Sequence, residues 1–340
     1  MKACIYGAGA IGGWIGVRLA QAGCEVSVVA RGATLEALRA HGLRLDTVRA
    51  EPVEAHASPS TGSGRTVVST PVRASADPAE LGVQDLVIVA VKAPAMAEVA
   101  QAIGPLRGPD TIVLTAMNGV PWWFFEGFGG QHAGTRLKAV DPEGAIARAI
   151  PARHIVGCVV HASCSLNSPG FVKQHFGNKL IVGEPAGAKT ARVQQLVALL
   201  ERAGFETVLS DQIQKDAWYK LWGNMTVNPV SAMTGATTDL IMGDDLVRGF
   251  ISKVMLEARE IGFRLGIPIE QQPEDRHQVT RKLGAFKTSM LQDVEAGKPV
   301  EIDALVSVVR EMGQMTGVPT PFTDALLGLA RLHARVHGLY

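Results

Sequence analysis

Cysteine is scarce in this chain of 340 residues: Cys4, Cys24, Cys158 and Cys164 are the only four, and none pairs as CxxC. That density excludes a disulfide scaffold and leaves buried free thiols in a reducing compartment as the expected state. Charge of one sign is also lacking, since 33 Lys and Arg face 32 Asp and Glu for a formal charge of +1. A strongly basic surface built to release counterions from nucleic acid is therefore excluded, and no nucleic-acid partner is expected. Long hydrophobic runs are missing, for no stretch reaches the roughly 18 apolar residues of a membrane span. The opening MKACIYGAGAIGGWIGVRLAQAG imitates a signal peptide, but five glycines and Arg18 interrupt what should be a continuous apolar helix. A cytoplasmic protein is expected, with no membrane partner. Aromatic residues make up only 5% (10 Phe, 5 Trp and 3 Tyr), yet four of them stand together at Trp122, Trp123, Phe124 and Phe125.

What is present reads as a globular enzyme-sized chain. Hydrophobic residues are 47% and charged ones 19%, the reverse of a disordered composition. At roughly 150 residues per domain the length suggests two. Short apolar runs at Lys2–Tyr6, Glu25–Ala30, Leu86–Val91, Thr111–Thr115 and Ile155–Val160 alternate with helical or loop segments. Most are nearly continuous in Val, Ile, Leu and Ala, as strands buried on both faces require, which predicts an α/β doubly wound sheet of Rossmann type over residues 1–185. The Pro-, Ser- and Gly-punctuated stretch 51–75 predicts a loop and an edge hairpin, and Phe171–His175 with Lys179–Val182 predicts a second hairpin. After a linker at 184–190, helical periodicity runs almost throughout residues 190–340, predicting an all-helical second domain.

Gly7-Ala8-Gly9-Ala10-Ile11-Gly12 is a GxGxxG motif placed after a candidate strand and at the start of a candidate helix. Gly7 permits the tight turn, Gly9 lets backbone approach a pyrophosphate, and Gly12 lets the helix pack on the sheet. The pyrophosphate would sit on unpaired N–H groups at the positive helix end. The second strand ends in Arg31-Gly32, and no carboxylate follows before Glu36. A cation at that place suits a ribose 2′-phosphate, so NADPH is expected rather than NADH. Lys92 and Asn118-Gly119 close two further candidate strands, at the carboxyl ends where open α/β sheets bind ligands. Lys220, Asn224 and Asn228 lie at i, i+4 and i+8, so a helix stacks them on one face. A lysine with two carboxamides in line offers a proton donor and fixed hydrogen-bonding groups to an oxygen-rich small molecule. Pro229 should kink or end that helix near Asn228.

GAGAIG at 7–12, Arg31, Lys92, Asn118-Gly119, Lys220-Leu-Trp-Gly-Asn224-Met-Thr-Val-Asn228-Pro and Ser289-Met-Leu-Gln-Asp293…Glu301-Ile-Asp303 occur in the order found in the ketopantoate reductase (2-dehydropantoate 2-reductase) family, which the chain resembles across both domains. The resemblance implies a helical C-terminal domain like that of 6-phosphogluconate dehydrogenase and an NADPH-dependent reduction of a 2-keto acid. On it, Lys220 is the catalytic proton donor, and Glu301 lies near the nicotinamide ribose and the substrate hydroxyl. Asn224, Asn228 and Ser289 bind substrate, Asn118 touches cofactor and substrate, and Lys92 lines the cofactor crevice. A homodimer is compatible with such a helical domain.

Two departures from the family stand out. Ten residues after Asn228, where a further substrate asparagine belongs, the chain has Thr238-Asp239. The segment after Asn118-Gly119 carries the four aromatics, which fit a buried plug, the wall of an enlarged substrate pocket, or a contact surface. A dehydrogenase of opine or β-hydroxyacid type, or a non-catalytic NADPH-binding regulator, would share the two-domain plan without needing the lysine-asparagine face.

Overall fold

Among the residues that the computed structural model describes, 1–48 and 65–340, there are ten strands and twelve α-helices. The strands are β1 (Lys2–Tyr6), β2 (Glu25–Val29), β3 (Leu43–Val48), β4 (Arg65–Thr70), β5 (Arg73–Ser75), β6 (Gln84–Val89), β7 (Arg107–Thr115), β8 (Ile155–Ser168), β9 (Phe171–Gly183) and β10 (Glu206–Leu209). The helices are α1 (Ala10–Gln21), α2 (Gly32–His41), α3 (Met96–Ala102), α4 (Ala145–Ala149), α5 (Ala191–Arg202) and α6 (Ile213–Thr234), then α7 (Thr238–Gly243), α8 (Asp245–Arg264), α9 (Pro273–Arg281), α10 (Ser289–Glu295), α11 (Val308–Thr316) and α12 (Pro321–Val336).

All strands belong to one sheet, in the order β4-β3-β9-β8-β7-β6-β1-β2-β5, with β10 added alongside β9. From β5 through β8 every neighbour is parallel, and alternate residues feed opposite faces. Ile5, Val28, Ile88 and Leu114 pack under α1 and α5, while Tyr6, Val29, Val89 and Val113 pack under α3 and α4. Burial on both faces explains the unbroken apolar runs, and the expected doubly wound sheet is present. Beyond it, α6–α8 and α10–α12 pack around one apolar core that includes Trp218, Trp222, Met225, Val254 and Ile261, and α9 packs on α7 and α8.

Four local readings need correction. Residues 171–182 form no hairpin of their own; they lie in β9, whose antiparallel partner is the similarly long β8. Gly177 (φ +78°) sits where the β8–β9 register shifts, and a Cβ there would lie 2.5 Å from the His161 carbonyl oxygen. The glycine serves a bulge, which has the same composition as a turn. The actual reversal is Ser168-Pro169-Gly170. Helix does not run throughout 190–340: β10 pairs in parallel with β9, and α5 packs on the sheet through Val193, Leu196, Leu199 and Leu200. Within the expected loop and hairpin at 51–75, β4 pairs antiparallel with β3, β5 joins β2 in parallel, and residues 51–64 lie outside those described. Finally, of the kink or end expected near Asn228, the end is not found. Helix α6 continues through Pro229 to Thr234, because its far half is buried in the helical core, where packing outweighs the lost backbone bond.

Candidate active site

The turn between β1 and α1 assigns each glycine a separate physical task. Gly7 has φ +101°, a left-handed conformation, and a Cβ there would press on Val91 at 2.7 Å. At Gly12 a Cβ would come 2.1 Å from the Gly7 carbonyl oxygen, so only glycine lets α1 lie so close to the strand. Gly9 is the contrast, since a Cβ there would meet nothing within 4 Å. No protein contact demands that glycine; it keeps the approach to the helix end clear. Gly9 caps α1 without a side-chain acceptor, and Ala10 and Ile11 open the helix, so its first N–H groups face the approach unengaged by any capping side chain. Ala8 is buried in the turn. This geometry fits the pyrophosphate of a dinucleotide. Arg31, two residues beyond β2, is half exposed and ion-paired with Glu98 of α3.

Lys92 follows β6 and reaches across to the helical domain. Its Nζ donates to Asp293 of α10 at 2.5 Å and lies 3.5 Å from Glu301. Burial pulls the Lys92 pKa down, but the carboxylates of Glu301 and Asp293 outweigh it and hold the group above the ordinary lysine value. Glu301 is buried and accepts the Ala93 N–H at 3.0 Å. Burial raises its pKa, and Lys92 and the Ala93 N–H oppose that rise.

Lys220 occupies the third turn of α6. Its ammonium donates to Asn118 Oδ1 at 2.8 Å and to the Val160 carbonyl of β8 at 2.7 Å. Asn118 is positioned by Gly119 (φ +81°), where a Cβ would lie 2.4 Å from the Ala304 carbonyl, and by Val120, whose N–H donates to that same carbonyl at 2.9 Å. Burial brings the Lys220 pKa down to about 8; the Glu301 carboxylate opposes the shift and the Arg276 guanidinium adds to it. The ammonium is thus the main form at neutral pH, yet close to giving up its proton.

Asn118, Lys220 and Asn224 line one cleft at the carboxyl ends of the strands, with about 640 Å³ of empty space partly open to solvent. Asn228, one turn beyond Asn224, is buried and lies outside that lining. Ser289 is exposed in the first turn of α10, which packs on α6. Thr238 is committed elsewhere, its hydroxyl donating to the Gly284 carbonyl at 2.6 Å and so tying down the loop before α10.

The four aromatics divide. Phe124 and Phe125 are fully buried in the helical core, packed edge to face with each other, and Phe124 also packs edge to face on Phe128. Trp122 and Trp123 face the other way and form part of the cleft wall; Trp123 donates its indole N–H to Thr115 at 3.1 Å. The segment is therefore both plug and wall.

Several neighbours escaped the reading of the sequence. Asp293 had no role assigned, although it stands in the stretch that resembles the family. The Val160 carbonyl carries no side-chain signal. Arg276 packs over Gly223, where a Cβ would come 2.5 Å from its Nε, so that helix-weakening glycine makes room for a cation near Lys220.

Comparison with known proteins agrees with this architecture. Family models described as ketopantoate reductase PanE/ApbA and its C-terminal part match residues 3–187 and 212–334. A 2-dehydropantoate 2-reductase of Mesorhizobium japonicum is 43% identical over the whole of both chains. The crystal structure of a candidate ketopantoate reductase from Ralstonia solanacearum superposes with a TM-score of 0.89 at 55% identity, covering 99% of each chain. A D-mandelate dehydrogenase solved with NADH and anilino(oxo)acetate shares the fold over the full length of both chains, with a TM-score of 0.81 at 21% identity.

Proposed function

The chain belongs to the ketopantoate reductase family, and we propose on that premise that it reduces a 2-keto acid to the 2-hydroxy acid with NADPH, Lys220 delivering the proton. One observation carries the reading: the Lys220 ammonium is fixed at the cleft by Asn118 and the Val160 carbonyl, where burial lowers its pKa towards about 8. An ammonium has three N–H donors, and these two acceptors leave the third for a substrate keto oxygen. As negative charge develops on that oxygen, a fixed cation in a partly dry cleft stabilises it, and transfer from Nζ completes the hydroxyl. When bound, the nicotinamide cofactor supplies the hydride.

The remaining roles are those that the family pattern implies, with placement as support where it exists. With Oδ1 accepting from Lys220, the Asn118 Nδ2 is left to donate towards cofactor or substrate. Asn224 at the cleft, and Asn228 buried one turn further along the same face of α6, take the polar end of the substrate on the family pattern, with the exposed Ser289 hydroxyl holding its carboxylate. Glu301, anchored by Lys92 and the Ala93 N–H, borders the nicotinamide ribose and the substrate hydroxyl, and Lys92 lines the cofactor crevice. Gly7 to Gly12 cradle the pyrophosphate. Arg31 takes the 2′-phosphate; its pairing with Glu98 is exposed, so worth at most about 1 kcal/mol, and yields to a phosphate. The exposed row Leu329, Leu332 and Val336 along α12 supports a homodimer, and four unpaired cysteines suit the cytoplasm.

Incubation of the purified chain with reduced cofactor and a panel of 2-keto acids tests this directly. NADPH is expected to be consumed in step with 2-hydroxy acid, faster than NADH at equal concentration, and Arg31→Ala is expected to shrink that preference about tenfold with melting temperature unchanged. Tight NADPH binding with no turnover of any carbonyl compound would replace the reductase with a regulator.

A further inference from the structure

The cleft lining changes character along α6. Asn224 and Lys220, with Asn118 bonded to the lysine, border one stretch; Ala217 and Ile213, one and two turns back, border the other, clustered with Trp122, Trp123, Val140 and Ile146. The polar side chains bordering this second stretch, among the described residues, are Thr115 and Cys158, the latter also a neighbour of Lys220. The Thr115 hydroxyl already accepts the Trp123 indole N–H at 3.1 Å. Cys158 is buried and its thiol is a weak donor. The Trp122 indole N–H is also buried, without a partner among the described residues and shut off from the cleft surface. A ligand reaching this end therefore meets mostly apolar surface, where the hydrogen-bonding groups left are the O–H of the buried Thr115 and the weakly donating Cys158 thiol.

A 2-keto acid whose keto oxygen lies on Lys220 has to send its side chain somewhere, and the apolar end opens directly from the lysine between α6 and the aromatic segment. Burying an aliphatic or aromatic side chain there is favourable in proportion to its area. The C4 hydroxyl of 2-dehydropantoate would instead give up its water for no more than the buried Thr115 O–H or a weak thiol partner. We propose that the substrate of this chain is a 2-keto acid with a bulky, wholly apolar side chain, branched or aromatic, which Trp122, Trp123 and Ile146 enclose. This rests on the reductase reading above and names its substrate class.

The test uses the full chain, reduced cofactor and a graded series: pyruvate, 2-dehydropantoate, 4-methyl-2-oxopentanoate and phenylpyruvate. The kcat/KM for the last two is expected to exceed that for 2-dehydropantoate by roughly 10–100-fold, since each apolar group buried in a fitted pocket is worth about that much discrimination. Ala217→Leu, which narrows the apolar end, should lower kcat/KM for phenylpyruvate about tenfold or more while that for pyruvate changes little. Trp122→Phe removes the indole N–H and should affect all four substrates alike. If 2-dehydropantoate is the best substrate, or if Trp122→Phe weakens it selectively, the apolar-substrate inference is overturned while the reductase reading stands. If none of the four is reduced, the reductase reading fails first.

Discussion

The turn at Gly7–Gly12 and the cleft around Lys220 prepare for their ligands in opposite ways. Six consecutive residues build the turn, and its chemistry is mostly the absence of side chains: Gly7 and Gly12 are demanded by protein contacts, Gly9 by open space. The cleft is assembled from distant segments. Lys220 on α6 meets Asn118 after β7 and Val160 on β8, and Lys92 after β6 meets Asp293 and Glu301 of the helical domain. A contiguous site is fixed once the local backbone forms, whereas a dispersed one requires the helical core to dock correctly on the sheet. Damage to the turn should therefore separate cleanly into binding and stability, and damage to the cleft should fall on the chemical step.

The largest expected effect lies in the cleft. Lys220→Ala should lower kcat by about 10²–10⁴-fold, while cofactor affinity, read by fluorescence titration of NADPH, changes little. An unaltered kcat would remove Lys220 from the proton transfer and leave the cleft with no acid. Next comes Gly9→Ala. Its Cβ meets no protein atom, so melting temperature should hold, yet the KM for NADPH should rise about tenfold or more as the new methyl blocks close approach of the pyrophosphate. Gly12→Ala should behave in the reverse manner and more mildly. Forcing a methyl against the Gly7 carbonyl costs about 1–3 kcal/mol, seen as a melting temperature lower by several degrees. If the two glycine variants gave the same pattern, the division of labour within the turn would be wrong.

The same contrast explains what was legible in the sequence. Strands buried on both faces announce themselves through unbroken apolar runs, and β1, β2, β6, β7 and β8 lie where those runs are. Strand β3, LRLDTV, alternates and directly follows α2, so it gave no such signal; β10 is four residues long and partly exposed, and it was absorbed into the helical pattern around it. Gly177-Asn178 looked like a turn because a bulge and a turn both ask for a residue with positive φ. Lys220, Asn224 and Asn228 were visible through their spacing on one helix, and the chain's family through the order of its motifs. The pairing of Lys92 with Asp293 spans 201 residues, and no local pattern encodes it. Nor could the sequence divide Trp122-Trp123-Phe124-Phe125, because the direction in which each ring points depends on where two layers of the molecule meet.

Of all these expectations, the proton held on Lys220 is the most exposed to a single measurement. The groups around it are Glu301, Arg276, Cys158 and His161, and burial already places His161 at about 4 and Cys158 at about 12, so neither titrates beside it near pH 8. Lys220 must be protonated to act as the acid. The kcat/KM for the keto acid should therefore be flat below a pH of about 8 and fall about tenfold per unit above it. A kcat/KM that stays level until the ordinary lysine range above pH ~10, or the same inflection near pH 8 in Lys220→Ala, would contradict the account.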